Sequence, residues 1–255
     1  MLGSHSELAH ALALSLALTV VARFVRTVSY ERRVRTLRAS EIGRASHLLA
    51  QAFVADPFLG YLLPGARRRQ LAFPPFFRSA IHHQVELGTV WVCEQDGRMV
   101  GVSAWFPPDS APPGTLTRLR TAANTAMIRG LFPRASGRLL NTFAGFDAHH
   151  PAVPHWYLSF IGVDPDAQGC GIGRALLDPA IEEADRYGLP CYLETPYPET
   201  HLFYNRNGFE LTAELHPVDG APPVWTMTRP TQTVPAPIED PDAVRVYEAW
   251  RDTGG

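Results

Sequence analysis

Residues 162–177, GVDPDAQGCGIGRALL, set four glycines ahead of a helix-like segment. Glycines let backbone N–H groups approach a phosphate closely, and a helix N-terminus adds positive potential. Three phosphate-binding patterns compete for the run. A P-loop needs a lysine, yet all 23 basic residues are arginine, so that reading fails, as does any lysine Schiff base. A dinucleotide fingerprint started at Gly169 meets Arg174 where its third glycine belongs, and one started at Gly171 meets Leu176. Asp164 to Gln168 also separate the preceding strand from the glycines, whereas a dinucleotide site turns almost at once. The pattern that fits is Q-x-x-G-x-G, carried by Gln168, Gly171 and Gly173, with an apolar strand before it and Arg-Ala-Leu-Leu after it.

Other residues carry acid–base chemistry. Glu194 ends the apolar run CYLET, at the strand end where binding crevices form. It is read either as a base that deprotonates an amine, directly or through water, or as a structural or cation-orienting carboxylate. His155 opens the same central region and is a second candidate, against the plain alternative of a satisfied structural histidine. FVADPFLGY (53–61) offers Phe53, Asp56, Phe58 and Tyr61, which suit a cationic or aromatic amine or, equally, a hydrophobic core. Phe146 and Asp147 are further contacts of the same kind. His82-His83 and His149-His150 are adjacent rather than spaced i, i+4, so no metal is expected.

The elements that must hold these residues follow from periodicity and punctuation. A strand is expected over 34–39, then a helix from Ser40-Glu41 through Phe53, a loop or short helix at 56–65 and a helix over about 66–87. Two β-rich runs around Asp96-Gly97 predict a hairpin over 89–106. HWYLSFIGV (155–163) reads as a strong strand, followed by the glycine turn and a helix to about Tyr187. CYLET, FELTAEL (209–215) and VWTMTR (224–229) read as strands. A short helical segment over 201–207 ends at Gly208, which suits a left-handed cap.

The chain has 255 residues, 45% of them hydrophobic and 19% charged, with a net charge of −2. That is one medium globular domain with extensions, and nucleic acid is not expected as a partner. Three cysteines without metal-like spacing suit a reduced, cytoplasmic protein. LALSLALTVVARFV (12–25) is shorter than the roughly 20 apolar residues of a spanning helix. A membrane span is therefore not expected there; a helix packing on the domain or on a second subunit of a homodimer, a weak anchor, or a leader are the readings. Three parts result: an apolar helical extension over 1–33, a catalytic domain over 34–230 and a Pro-rich tail over 231–255. A helical insertion at 107–150 is too long for a simple connection and suits a cover over the acceptor site.

Gln168, Gly171 and Gly173, preceded by Val163-Asp164-Pro165 and followed by FYNRNGFE (203–210), resemble the acetyl-CoA-binding motif of the GNAT superfamily of N-acetyltransferases. The resemblance covers roughly 34–229. Within the superfamily it is most like the puromycin N-acetyltransferase group, on HWYLSFIGVDPDAQGCGIG, YLETP (192–196), FYNRNGF and WTMTRP (225–230). It implies an α/β fold with a central, mostly antiparallel sheet splayed at one parallel strand pair and flanked by helices. It implies acetyl-CoA as donor, with the N–H groups of Ile161 and Val163, and Gly162 between them, along the pantetheine arm. Gln168, Gly169, Cys170, Gly171, Ile172, Gly173 and Arg174 would hold the pyrophosphate, and Asn205 also falls on the cofactor side. Tyr204 would protonate the departing thiolate; its plain alternative is a packing tyrosine, since neighbours Phe203 and Tyr204 face about 100° apart on a helix. Cys170 departs from the family, in which many relatives carry a basic residue; Arg174 can compensate. The implied function is N-acetylation of a small-molecule amine, such as an antibiotic in resistance, by direct transfer in a ternary complex. The alternatives are a protein N-terminal or lysine acetyltransferase, a non-catalytic acyl-CoA-binding protein and a fold diverted to other acyl-CoA chemistry.

Overall fold

The computed structural model describes residues 32–108, 126, 130, 150–217 and 220–231. The hairpin forms as its sequence requires. β2 (Val90–Gln95) and β3 (Arg98–Phe106) are joined at Asp96 and Gly97, with φ of 52° and 74°. Positive φ at both turn positions matches the twist of the flanking strands, and Asp-Gly adopts it readily. Around this hairpin stand β1 (Arg32–Thr36), β4 (Trp156–Val163), β5 (Cys191–Thr195), β6 (Glu210–Leu215) and β7 (Val224–Arg229). They make one seven-stranded sheet in the order β1-β2-β3-β4-β5-β7-β6. Every neighbouring pair is antiparallel except β4 with β5.

Both faces of the sheet are buried, which explains the nearly unbroken apolar run of β3. Val90 and Val92 enter a core with α1 (Ile42–Ala52) and α3 (Ala66–Ala80). Cys93 points the other way, with Ile172 and Leu176 of α5 (Ile172–Arg186). The short helices α2 (Pro57–Leu62), α4 (His82–Glu86) and α6 (His201–Asn205) close the ends. Arg229 clamps β7 to α5 with two hydrogen bonds to the Asp185 carboxylate, at 2.5 and 2.8 Å, a bidentate geometry that fixes orientation as well as position.

One irregularity shapes the centre. Phe160 lies opposite Ala104 and Leu158 opposite Trp105, so Ser159 is an extra residue in β4, a β-bulge. Before it, Trp156 and Leu158 belong to the core under α5. After it the facing is switched: Phe160 packs with the α1 and α3 cluster, while Ile161 and Val163 pack toward Ile172 and Leu176. The parallel pairing of β4 with β5 stops at Leu158↔Leu193, the residue before the bulge. Beyond it the strands part. Ser159 Oγ donates to Ala104 O at 3.0 Å and accepts from Gln84 Nε2 at 2.9 Å, so a polar network is built around the bulge.

The structure differs from the sequence expectations at a few boundaries. β1 starts at Arg32 rather than 34, because its pairing with Gln95 of β2 extends it. The helix expected over 66–87 is broken at Ile81 into α3 and α4. The apolar segment at 12–25, the tail beyond 231, and all of the 107–150 insertion except 107, 108, 126, 130 and 150 lie outside the described residues, as do Phe146 and Asp147. Among the described residues no helix is long and apolar enough to cross a membrane.

α1 lies very close to β4: a Cβ on Gly162 would stand 2.9 Å from Ala52 Cβ and 3.1 Å from Leu49 Cδ2. Gly162→Val is expected to destabilise the fold by roughly 1–3 kcal/mol through overpacking, measured as a lowered midpoint of thermal unfolding.

Candidate active site

The parting of β4 from β5 leaves backbone groups without a strand partner. Asp164 N–H donates to Val100 O of β3 at 2.8 Å. Strand alternation then turns the backbone of Gly162 toward β3 and that of Ile161 and Val163 into the gap. Ile161 and Val163 thus turn backbone groups toward the gap. Gly162 is not: its backbone serves β3 and its bare α-carbon serves the close approach of α1.

From Val163 the chain runs straight into the glycine turn. Gln168 Nε2 donates to Val163 O at 3.3 Å, tying the turn back to the strand. Gly169 and Gly171 have φ of 74° and 78°, a left-handed conformation that side chains disfavour. Gly171 is the N-cap of α5 and supplies no side-chain cap, so the first N–H groups of a 15-residue helix remain available to an anion. A Cβ on Gly173 would lie 3.1 Å from the Phe203 ring, which locates α6 against the start of α5.

The charge missing at Cys170 arrives from elsewhere. Arg32 Nη2 donates to Cys170 O at 2.7 Å, and its Nη1 would stand 3.7 Å from a Cβ on Gly171. Arg174, the candidate suggested by the sequence, is 70% exposed and faces Asp178 at 4.0 Å. Cys170 itself is exposed, and so is Asn205 at the end of α6.

Tyr204 lies in the core beneath α5, 5.8 Å from Phe209 and 5.0 Å from Phe203 between ring centroids. Both aromatic neighbours therefore contribute to the core, because Phe203 covers the α5 terminus while Tyr204 fills the space below. Burial alone raises the Tyr204 pKa, with no charge or hydrogen-bond partner contributing, so the phenol stays protonated at neutral pH.

Glu194 is the first residue of β5 past its last pairing with β4. Leu193 belongs to the core under α5, so Glu194 points to the opposite face of the sheet from Tyr204's core. Its side chain is 7% exposed, and Oε1 lies 3.3 Å from His150 Nε2 without a well-aligned hydrogen bond. His150 Nδ1 is 3.2 Å from His155 Nε2, and His155 Nδ1 is 2.8 Å from Val153 O. Tyr157 and Tyr192 wall this group, with ring centroids 4.5 and 4.8 Å from His150. Burial first, and then the Glu194 charge, push the Tyr192 pKa up. Tyr192 Oη and Glu194 Oε1 are buried with no aligned hydrogen bond among the described residues, although the Tyr192 hydroxyl and the Glu194 carboxylate lie against one another. Unsatisfied polar atoms of this kind, gathered at one place, suit a ligand site. Among the described residues no group of three His, Cys, Asp or Glu is arranged to hold a metal.

The 53–61 residues do not line one pocket. Phe53 packs on Phe77 and Phe160 in the α1 and α3 core. Phe58 is buried with Leu62 and Val224, and Tyr61 borders that cluster. Asp56 is buried as the N-cap of α2, accepting from Leu59 N–H at 2.7 Å. It also bonds the Tyr197 side chain, just past β5, so it braces the strand end that carries Glu194.

The sequence model of the Acetyltransferase (GNAT) family matches residues 61–209, more than half of the chain. The chain belongs to the GNAT family of acetyltransferases. An uncharacterised N-acetyltransferase of Schizosaccharomyces pombe is 25% identical over 213 residues, covering 80% of this chain and 81% of the relative. Among solved structures, a Corynebacterium glutamicum protein described as histone acetyltransferase HPA2 and related acetyltransferase superposes with a TM-score of 0.58 at 22% identity, covering 80% of this chain and 99% of its own. The Drosophila melanogaster polyamine N-acetyltransferase, which forms N-acetylagmatine, gives 0.52 at 18% identity, covering 78% and 99%. These likenesses show a GNAT fold.

GNAT enzymes use acetyl-CoA as donor. Sequence reasoning missed Arg32, His150 and Tyr192. Arg32 lies before the expected domain start, and His150 was weighed only for metal spacing. Tyr192 looked like one more apolar strand residue.

Burial raises the Asp56 pKa to about 6, outweighing the N–H groups of Leu59 and Phe58, the Tyr197 hydroxyl and Arg69. A folded-state pKa above the unfolded one means that the native chain binds more protons between the two values. Stability is therefore full below about pH 4 on this account and falls as pH rises to about 6, by roughly 1–3 kcal/mol. Asp56→Asn is expected to flatten that dependence in denaturant unfolding series at pH 4 to 7.

Proposed function

We propose that this GNAT enzyme acetylates the amine of a small cationic acceptor, by direct transfer from acetyl-CoA in a ternary complex. The observation that carries this reading is the gap beyond the Ser159 bulge, which has backbone donors along one side, Glu194 on one face and Tyr204 below the other. The pantetheine arm pairs with Ile161 and Val163, and the pyrophosphate rests on the uncapped N-terminus of α5 with Arg32 beside it. The thioester carbonyl then lies in the gap. Glu194 removes a proton from the acceptor ammonium, the free amine attacks the carbonyl carbon, and the C–S bond breaks as Tyr204 gives its proton to the thiolate sulfur and regains one from the amide nitrogen that forms.

The small-molecule reading is supported by the setting of Glu194. It is a nearly buried carboxylate beside Tyr192 and His150, and the His150 ring is in turn surrounded by Tyr157, Tyr192 and His155. Rings around a carboxylate suit an ammonium on an apolar or aromatic body. An aminonucleoside antibiotic such as puromycin meets that description, and use of acetyl-CoA supports a cytoplasmic reaction.

Calorimetric titration with acetyl-CoA tests the donor site first. The wild type is expected to bind, Gly171→Trp to lose binding by filling the turn, and Arg32→Ala to bind several-fold more weakly, most visibly at low salt. Absence of wild-type binding at millimolar acetyl-CoA would sink the acetyl-transfer reading. Tyr204→Phe is expected to lower kcat roughly 100-fold or more while KM for acetyl-CoA changes little.

A further inference from the structure

Glu194 is one end of a chain of hydrogen-bonding groups, and that chain has a direction. Its other end is the carbonyl of Val153, which only accepts. His155 Nδ1, 2.8 Å away, must therefore carry a hydrogen. In a neutral His155 the Nε2 is then a lone pair, and it faces His150 Nδ1 at 3.2 Å. His150 Nδ1 must carry a hydrogen in turn, so in the neutral ring Nε2 is a lone pair. That lone pair faces Glu194 Oε1 at 3.3 Å. Two acceptors thus confront one another across a buried gap, and a proton is what satisfies both. The lack of an aligned hydrogen bond on Glu194 Oε1 agrees with this count.

We propose that His150 is the terminal acceptor of the proton that Glu194 takes from the amine, and that His155, anchored on the Val153 carbonyl, is the positioning residue that fixes the tautomer required. The inference rests on the acetyl-transfer reading and deepens it. The ammonium N–H bond breaks, the proton passes through Glu194 Oε1, and an N–H bond forms at His150 Nε2. Charge balances at each stage: carboxylate with ammonium before the transfer, carboxylate with imidazolium after it. From acceptor binding to the end of the transfer the nearly buried Glu194 always faces a cation, which offsets the heavy penalty on a buried unpaired anion. Whether the added proton is held by His150 or shared onward to His155, His150 presents an N–H to Glu194. The second amine proton leaves with the thiol through Tyr204. The first is returned to water from His150, whose side chain is 22% exposed.

Among the described residues the groups facing the pair are Tyr157 from β4, Tyr192 from β5 and His155 before β4. Tyr192 has its pKa pushed up and stays neutral. Active enzyme needs the chain unprotonated, and the rate is expected to rise with pH as the shared proton is lost.

The test has two arms, both on the full chain. The first needs no acceptor: nitrogen-15 NMR of labelled histidines across pH reads tautomer and titration directly. Both rings are expected as the Nδ1–H tautomer when neutral, and Glu194→Gln is expected to move proton uptake by His150 at least tenfold toward higher proton concentration. An Nε2–H tautomer at His150, or a titration unaffected by Glu194→Gln, overturns the proposal. The second arm measures pH–rate profiles with agmatine, 2-phenylethylamine and puromycin at saturating acetyl-CoA. His150→Gln is expected to lower kcat roughly 100-fold near pH 7 and to move the acid limb to lower pH. His155→Leu is expected to lose activity that His155→Gln retains, since the glutamine oxygen can accept from His150 Nδ1. A wild type that acetylates none of the three amines contradicts the acetyl-transfer reading itself. A wild type that acetylates one of them, with His150→Gln at full rate and unaltered pH profile, overturns the histidine chain alone.

Discussion

An extra residue in the middle of a strand cannot be paired on both sides, and the sheet of this protein is organised around that constraint at Ser159. The bulge switches the faces of β4, ends its parallel pairing with β5, and opens the sheet at its centre. A bulge also leaves backbone groups to be satisfied. Here the Ser159 hydroxyl bonds the Ala104 carbonyl, and Gln84, reaching over from α4, bonds the hydroxyl. The opening is thus held by a specific network rather than by absence of contacts.

Chemistry is divided between the two faces that the opening connects. On the α5 side lie the glycine turn, the uncapped helix terminus with Arg32, and the protonated phenol of Tyr204. On the other lie Glu194 and the two histidines, backed by tyrosines. Separation keeps a group that must stay protonated away from a group that must shed protons. Both depend on the same strand: Leu193 anchors β5 in the core while Glu194, one residue on, emerges where the pairing has ended. Asp56 and Tyr197 brace that strand end from α2, and Arg229 holds β7 beside it through Asp185. Such bracing matters because a misplaced base loses proton-transfer geometry long before it loses the fold.

Local chemistry made several elements readable from sequence. Asp96-Gly97 fixed the hairpin and Gly171 with the apolar run after it fixed the start of α5; the short helix instead ends at Asn205 with a right-handed cap at Arg206, and Gly208, with φ of 85°, lies in the turn that leads on to β6. Candidate site residues fared unevenly. Val163 leads straight into the glycine turn at the start of α5, as local conformation dictates. Phe53, Phe58 and Asp56 are shared between two hydrophobic clusters and a helix cap. Nothing local distinguishes an aromatic residue lining a pocket from one filling a core.

By itself the sequence determined the order of strands and helices along the chain and the glycine turn before α5, because each depends on residues within a few positions of one another, and its composition excluded lysine chemistry. Tertiary structure decided what long separations control. Arg32 reaches Cys170 across 138 residues, Gln84 reaches Ser159 across 75, and His150 meets Glu194 only after β4 and β5 are laid side by side. The bulge itself was equally hidden, since an extra residue is defined only by the partner strand it fails to match. The setting of Glu194 lies in that second category: the role proposed for it depends on His150 and Tyr192 closing around a strand-end glutamate.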